Sequence, residues 1–429
     1  MPYPKLLDRD LSTQLMSYLS PVDISRYRRV SLSSRDAVKA FNNVAYDLER
    51  ALAPFLSSSE YTVLRDIQEI LGVVISGSQI VNFFDRAASD LDSDLEVYVE
   101  FKHAKLLGEW LESIGYQFQP RGPQAKSFSE CYALKRTHED SSVHDQPMLA
   151  STINIANAQP NAHQYSSQDI RDVFNFARSS GGRTLNIQLI ATVYAPAQAI
   201  LRFHSTVVMN VVTARCAYAL LPVSTFHARQ LVKSLNVNEN AQSKYVDRGW
   251  SMVLTEEVVE GRAAVDAKIR FFGDQYCWTV PLPLPRAAVT FSQPHSVDTI
   301  IVNSWANKYS EGLFNPAYKT VKSRHLVRTF TIWRNDLWWG LFHPLFQAFL
   351  PGKTGTNGLG RRPSAIHTPA HLENVLAGCV KAIMRPTAST RDDLTDWMVK
   401  NYINPTVALN VATSIWGELF SAGRVVYAE

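Results

Sequence analysis

Along residues 6–56 apolar positions recur every three or four residues, with Leu11, Leu15, Met16, Tyr18 and Leu19 on one stripe. That spacing predicts helices with one face turned to a core. Ser20-Pro21-Val22-Asp23 predicts a helix start, because serine caps, proline suits the first helical position and an acid favours the positive end of the dipole. Ile24, Tyr27 and Val30 carry the apolar face onward, and Arg26, Arg28 and Arg29 point elsewhere.

From Tyr61 the pattern changes. Leu71-Gly72-Val73-Val74-Ile75 is a short β-branched run ending at Ser76-Gly77-Ser78, and a helical stretch over 80–87 follows. Asp94-Leu95-Glu96-Val97-Tyr98-Val99 alternates polar and apolar, as a strand does. Residues 104–114 are amphipathic and end at Gly115, a C-cap signal. The polar stretch 119–146 reads as an insertion or loop. Next come a helix over 168–178, a strand over 184–193 and a short helix over 196–203. A further α+β stretch extends to about 284, with an alternating run at 264–272 and a strand at 276–280. Beyond Pro285 the pattern thins, and Trp305, Trp333, Trp338 and Trp339 cluster there. The fold class expected is α+β, with a helical segment at 1–58, an α/β core at 59–285 and a mixed, tryptophan-rich region at 286–429. No internal repeat interrupts that order.

Composition narrows the class. In 429 residues, 46% are hydrophobic and 19% charged, which suits a substantial core and argues against a disordered chain. A net charge of +4 is small for this length, so nucleic acid is not indicated. Cys131, Cys216, Cys277 and Cys379 stand singly, without zinc-knuckle or disulfide spacing. The polar N-terminus carries no signal-peptide stretch, and Arg334, Asp336, His343 and Pro344 break the apolar run at 333–350. No membrane is expected, and the expected location is cytoplasmic or nuclear.

Two features carry candidate chemistry. Ser76, Gly77 and Ser78 end a strand and open a helix, where glycine lets backbone approach phosphate and free amides face an anion. Asp94 and Glu96 stand two residues apart on one strand, which sends both carboxylates to one face. Acids so placed can share divalent cations that clamp a nucleoside triphosphate. The bland alternative is a plain turn and the solvent face of a half-buried strand.

A glycine-serine turn followed by a strand with acid-x-acid resembles the nucleotidyltransferase superfamily over residues 71–99. The resemblance implies Ser76, Gly77 and Ser78 at a nucleoside triphosphate and Asp94 and Glu96 on Mg²⁺. Active members add a third carboxylate from a neighbouring strand. Here Gln188 stands on the strand expected to supply it, and an amide ligates magnesium weakly and is no general base. The expectation is therefore a domain degraded as an enzyme. The alternative is an active Mg²⁺-dependent nucleotidyltransferase whose third acid arrives from elsewhere, with Asp85 and Asp92 near in sequence. His204 and Ser205 invite a nucleophile–base reading without a GxSxG elbow, and a hydrogen-bonded core histidine is the expectation. Gly352-Lys353-Thr354-Gly355 lacks P-loop spacing and reads as a loop.

Leu15, Leu19, Ser20, Pro21, Asp23, Tyr27, Arg28, Val30, Ser31 and Arg35 resemble an F-box over residues 6–41, although Leu7 is followed by Asp8 where that motif has leucine-proline. The resemblance implies docking onto a Skp-type adaptor of ubiquitin ligases through Leu15, Leu19, Pro21, Tyr27 and Val30. The alternative is a helical hairpin packed on the protein's own core. An F-box-like start before "ISGSQIVNFFDR…SDLEVYVE" is similar to a group of proteins of mushroom-forming fungi, to about residue 282.

Overall fold

The computed structural model describes residues 9–90, 92–140, 169–234, 238–253, 270–274, 276–287, 298–310, 312–321 and 327–332, with 373 and 377. Three helices come first: α1 (Arg9–Tyr18), α2 (Pro21–Tyr27) and α3 (Leu32–Ala45). Ser20 caps α2 by accepting from the Asp23 amide at 3.2 Å, and its hydroxyl donates to the Asp23 carboxylate at 2.7 Å. Ser31 caps α3 through the Ser34 amide at 3.0 Å. Met16, Ile24, Val38 and Phe41 close into a small core of their own. Ala45 touches both this core and the main one, which begins at Tyr46.

That main core is built on a sheet. α4 (Leu48–Leu52) and α5 (Ser58–Leu71) precede β1 (Val74–Ser76), α6 (Ser78–Asp85), β2 (Leu95–Glu100) and α7 (Phe101–Ser113). β3 (Gln117–Gln119), α8 (Phe128–Asp140), β4 (Ile170–Ser180), β5 (Arg183–Thr192), α9 (Pro196–Leu201), β6 (Asn210–Val212) and β7 (Cys216–Ala219) follow. Next come β8 (Gln230–Val232), α10 (Glu239–Asp247), β9 (Ser251–Val253), β10 (Arg270–Phe271), β11 (Trp278–Pro281) and β12 (Ser304–Trp305). Eight strands form one sheet in the order β11-β7-β6-β1-β2-β5-β4-β3. Its central β2–β5 pair is parallel and its other pairs antiparallel. The described residues therefore form an α+β fold, and none of their helices is long and apolar enough to cross a membrane.

Two expected elements are corrected. Residues 170–180 form β4 rather than a helix, because Phe174 and Phe176 both turn inward against β5, a spacing of two that only a strand satisfies. Within 119–146, expected to be irregular, lies α8, whose Phe128, Cys131 and Tyr132 share one buried face. Of the alternating run at 264–272, the described part pairs as β10 with β12, so that Trp305 is buried against Phe272 at 5.3 Å between ring centroids. Trp333, Trp338, Trp339, Cys379 and the 352–355 loop lie outside the described residues.

Candidate functional site

The turn between β1 and α6 is held from below. Ser76 is fully buried, and its hydroxyl donates to the Asn210 carbonyl at 2.5 Å on the neighbouring β6, so it faces the sheet. Gly77 caps α6 at φ 80° and ψ −161°, a region essentially reserved for glycine. The buried Gln79 amide donates to the carbonyls of Asp90 at 2.5 Å and Ser93 at 2.9 Å. That pins the stretch leading into β2 beside the turn.

Asp94 immediately precedes β2 and Glu96 lies within it, and of the two predicted acids it is Glu96 that stands against Gly77. Gln188 is the Cα partner of Glu96 across the parallel pair, and its amide donates to Asp94 Oδ2 at 2.5 Å. Burial pushes the Asp94 carboxyl above its usual range, while hydrogen bonds from Asn186 and Gln188 and the charge of Lys244 pull it back. Glu96 Oε2 accepts from the Tyr98 hydroxyl at 2.5 Å. Asp85 is committed elsewhere, in an ion pair with Arg229 at 2.9 Å, and Asp92 is exposed in a turn. Among the described residues there is no group of three or more histidine, cysteine or acidic side chains that could hold a metal.

Over this edge lies a cavity of about 460 Å³, lined by Gly77, Ser78, Glu96, His204, Asn238 and Lys244 among others. Helix α10 supplies its far wall, with Asn238 as N-cap accepting from the Ala241 amide at 3.0 Å. Lys244 Nζ donates to Ser93 Oγ at 2.6 Å and lies 3.9 Å from Asp90, which also takes Arg248. Burial and Arg248 lower the Lys244 ammonium from its ordinary value, against the carboxylates of Asp90, Glu96 and Asp94.

His204 differs from the hydrogen-bonded core residue expected of it. Its ring lines the cavity 6.1 Å from that of Tyr245, and its buried Nδ1 has no hydrogen-bond partner among the described residues. Burial, reinforced by Lys244, lowers its pKa to about 4. Neighbouring Ser205 is buried at 0% exposure and does not line the cavity, so the two form no nucleophile–base pair there. Lys244, Asn238 and the cavity-facing role of His204 are absent from any local motif, since α10 follows β2 by some 140 residues of chain and only the tertiary fold joins them.

A second cavity, about 380 Å³, lies at the other end of the parallel pair, between the end of α5, the Thr213–Arg215 turn and Arg328. Charged groups on its wall pair with one another: Arg215 with Glu69 at 2.5 Å and Arg328 with Glu373 at 3.0 Å.

On the helical segment, Leu15 and Val30 are exposed at 49% and 72%, joined by Leu11 at 52% and Tyr18 at 81%. Leu19 and Tyr27 instead pack partly buried against the small core. Pro21 occupies the first turn of α2. No family model, no curated protein and no solved structure matches the chain.

Proposed function

We propose that this chain is a binding protein in which a nucleotidyltransferase-like domain serves as a non-catalytic recognition module behind an F-box-like helical segment. The observation that carries the reading is the Gln188 amide on Asp94, opposite Glu96, where a metal-dependent transferase needs a third carboxylate. An amide donor there occupies one oxygen of Asp94 by hydrogen bonding and offers no base for an attacking hydroxyl.

The helical segment supports the other half. Leu11, Leu15 and Tyr18 follow i, i+4, i+7 spacing on α1 and remain exposed, although Met16 on the same helix is buried. An apolar face with its own small core beneath it suits a docking element for a Skp-type adaptor. In that role the chain is a substrate adaptor of a ubiquitin ligase in the cytoplasm or nucleus.

The test has two arms. Purified full-length chain is titrated against a Skp-type adaptor by calorimetry, with Leu15→Asp and Val30→Asp as variants. Binding that both variants abolish, without loss of the folded state, is the expected outcome. In parallel, labelled nucleoside triphosphates with Mg²⁺ and candidate acceptors test the alternative of an active nucleotidyltransferase using Asp94 and Glu96. Transfer that disappears in Asp94→Asn overturns the non-catalytic reading.

A further inference from the structure

Two charged groups beside the cavity have settled partners. Arg248 pairs with Asp90, and the Ser93 hydroxyl donates to the same carboxylate at 2.5 Å. At the edge, Asp94 accepts from the Gln188 amide and Glu96 from the Tyr98 hydroxyl. Two carboxylates on one strand face still repel, and a low-dielectric edge needs a cation to hold both ionised. The chain brings one there on α10.

We infer that Lys244 is the built-in counter-cation of the Asp94–Glu96 pair, so that the cavity excludes a divalent metal ion and the metal–triphosphate complex that such an ion would carry. The inference rests on the proposed non-catalytic reading of this site. Three observations support it, two of them geometric. The lysine lines the same cavity as Glu96 and Gly77, and its ammonium is anchored by Ser93 one residue before Asp94. Its charge is felt at both acids, raising its own proton affinity through them and lowering that of Asp94. Finally, the Glu96 carboxylate is folded onto Gly77, filling the space that the glycine opens. A metal entering between the acids would have to draw Glu96 off the turn and share the cavity with an ammonium, and like charges in such a partly buried space repel.

The consequence is a cavity selective against triphosphates. Without a metal to bridge it, a triphosphate approaching this edge meets two carboxylates and one ammonium. Asn238, Asn240 and Ser78 offer neutral hydrogen-bonding groups on the same walls. The ligand class that suits them is an uncharged polar molecule.

The experiment uses full-length protein and Mn²⁺ as the probe, with free ion read by its electron paramagnetic resonance signal. Wild type, Lys244→Met, Lys244→Gln and Lys244→Met with Asp94→Asn are compared. Expected are no saturable uptake by wild type at millimolar Mn²⁺ and saturable uptake, at least about tenfold tighter, by either lysine variant. Asp94→Asn removes that gain. Saturable wild-type uptake that needs Asp94, or folded lysine variants as inert as wild type, overturns the inference. A second measurement needs no lysine variant: the Lys244 ammonium pKa, followed by side-chain NMR, falls in Asp94→Asn, and an unchanged value also overturns it. Wild-type uptake without nucleotidyl transfer overturns only this inference. Uptake with Asp94-dependent transfer overturns the non-catalytic reading as well, and failure of the adaptor to bind touches neither result.

Discussion

The carboxylate of Glu96 lies over Gly77 so closely that a Cβ on the glycine would stand 2.6 Å from Cδ and 2.7 Å from each oxygen. The glycine is also required by its backbone, since φ 80° with ψ −161° is closed to side chains. Gly77→Ala should therefore cost about 2–4 kcal/mol, from backbone strain and steric crowding together. Urea denaturation measures it. In the Glu96→Ala background the crowding is gone and the strain remains, so the cost should fall by roughly 1 kcal/mol without vanishing. A Gly77→Ala chain as stable as wild type would mean that the turn is not held as described.

Gln188→Glu tests the amide on Asp94. The substitution removes a donor and places a second acid at hydrogen-bond distance, so one carboxyl of the pair must have its pKa raised above that in the unfolded chain. A raised carboxyl binds more protons folded than unfolded, so stability is lost as pH rises through that pKa. The variant should be about 2–3 kcal/mol less stable than wild type at pH 7, with the gap closing towards pH 4–5. Parallel denaturation curves across pH decide this, and a gap constant with pH would refute it.

Much of the site was readable because it is local. The Ser76-Gly77-Ser78 turn, the alternation from Asp94 to Val99 and the strand bearing Gln188 each show within about ten residues, and the fold joins them. What escaped depends on tertiary packing. Lys244 joins the cavity wall beside Glu96 only because the fold brings α10 to it. Phe128 anchors α8 because Gly108 leaves room for its ring, where a Cβ would stand 2.2 Å away. That complementarity between two helices is invisible in a polar stretch read alone. β4 was obscured by a register shift between Ile170 and Asp172, which breaks the strict alternation at its start.

Arg86 joins the helical segment to the α/β core. It caps α6 at φ 55°, and its guanidinium donates to the carbonyls of Met16 at 3.1 Å and Leu19 at 2.7 Å, at the end of α1. It also stands 5.7 Å from the centre of the Phe41 ring. Arg86→Ala should speed hydrogen exchange in α1–α3 by a factor corresponding to about 1–3 kcal/mol, leaving β2 and β5 protected. Arg86→Gly relieves the left-handed backbone but lacks the guanidinium, so it should loosen α1–α3 equally. Protection restored by glycine would assign the effect to backbone strain.

His204 sets a pH dependence. Buried beside Lys244, it has a pKa of about 4 in the folded chain, below the 6.5 of an ordinary histidine. The unfolded chain therefore binds the extra proton between those values, and folding stability rises with pH across that window. The contribution is complete above about pH 6.5 and is lost as pH falls through the folded pKa, at no more than about 1.4 kcal/mol per unit. His204→Gln carries no titrating ring, so its stability should change less than that of wild type between pH 6.5 and 5. Burial raises the Asp94 carboxyl, which contributes a slope of opposite sign, and repeating the comparison in Asp94→Asn separates the two. A pH slope identical in wild type and His204→Gln, in both backgrounds, would show that the imidazole reaches solvent and takes up its proton without unfolding.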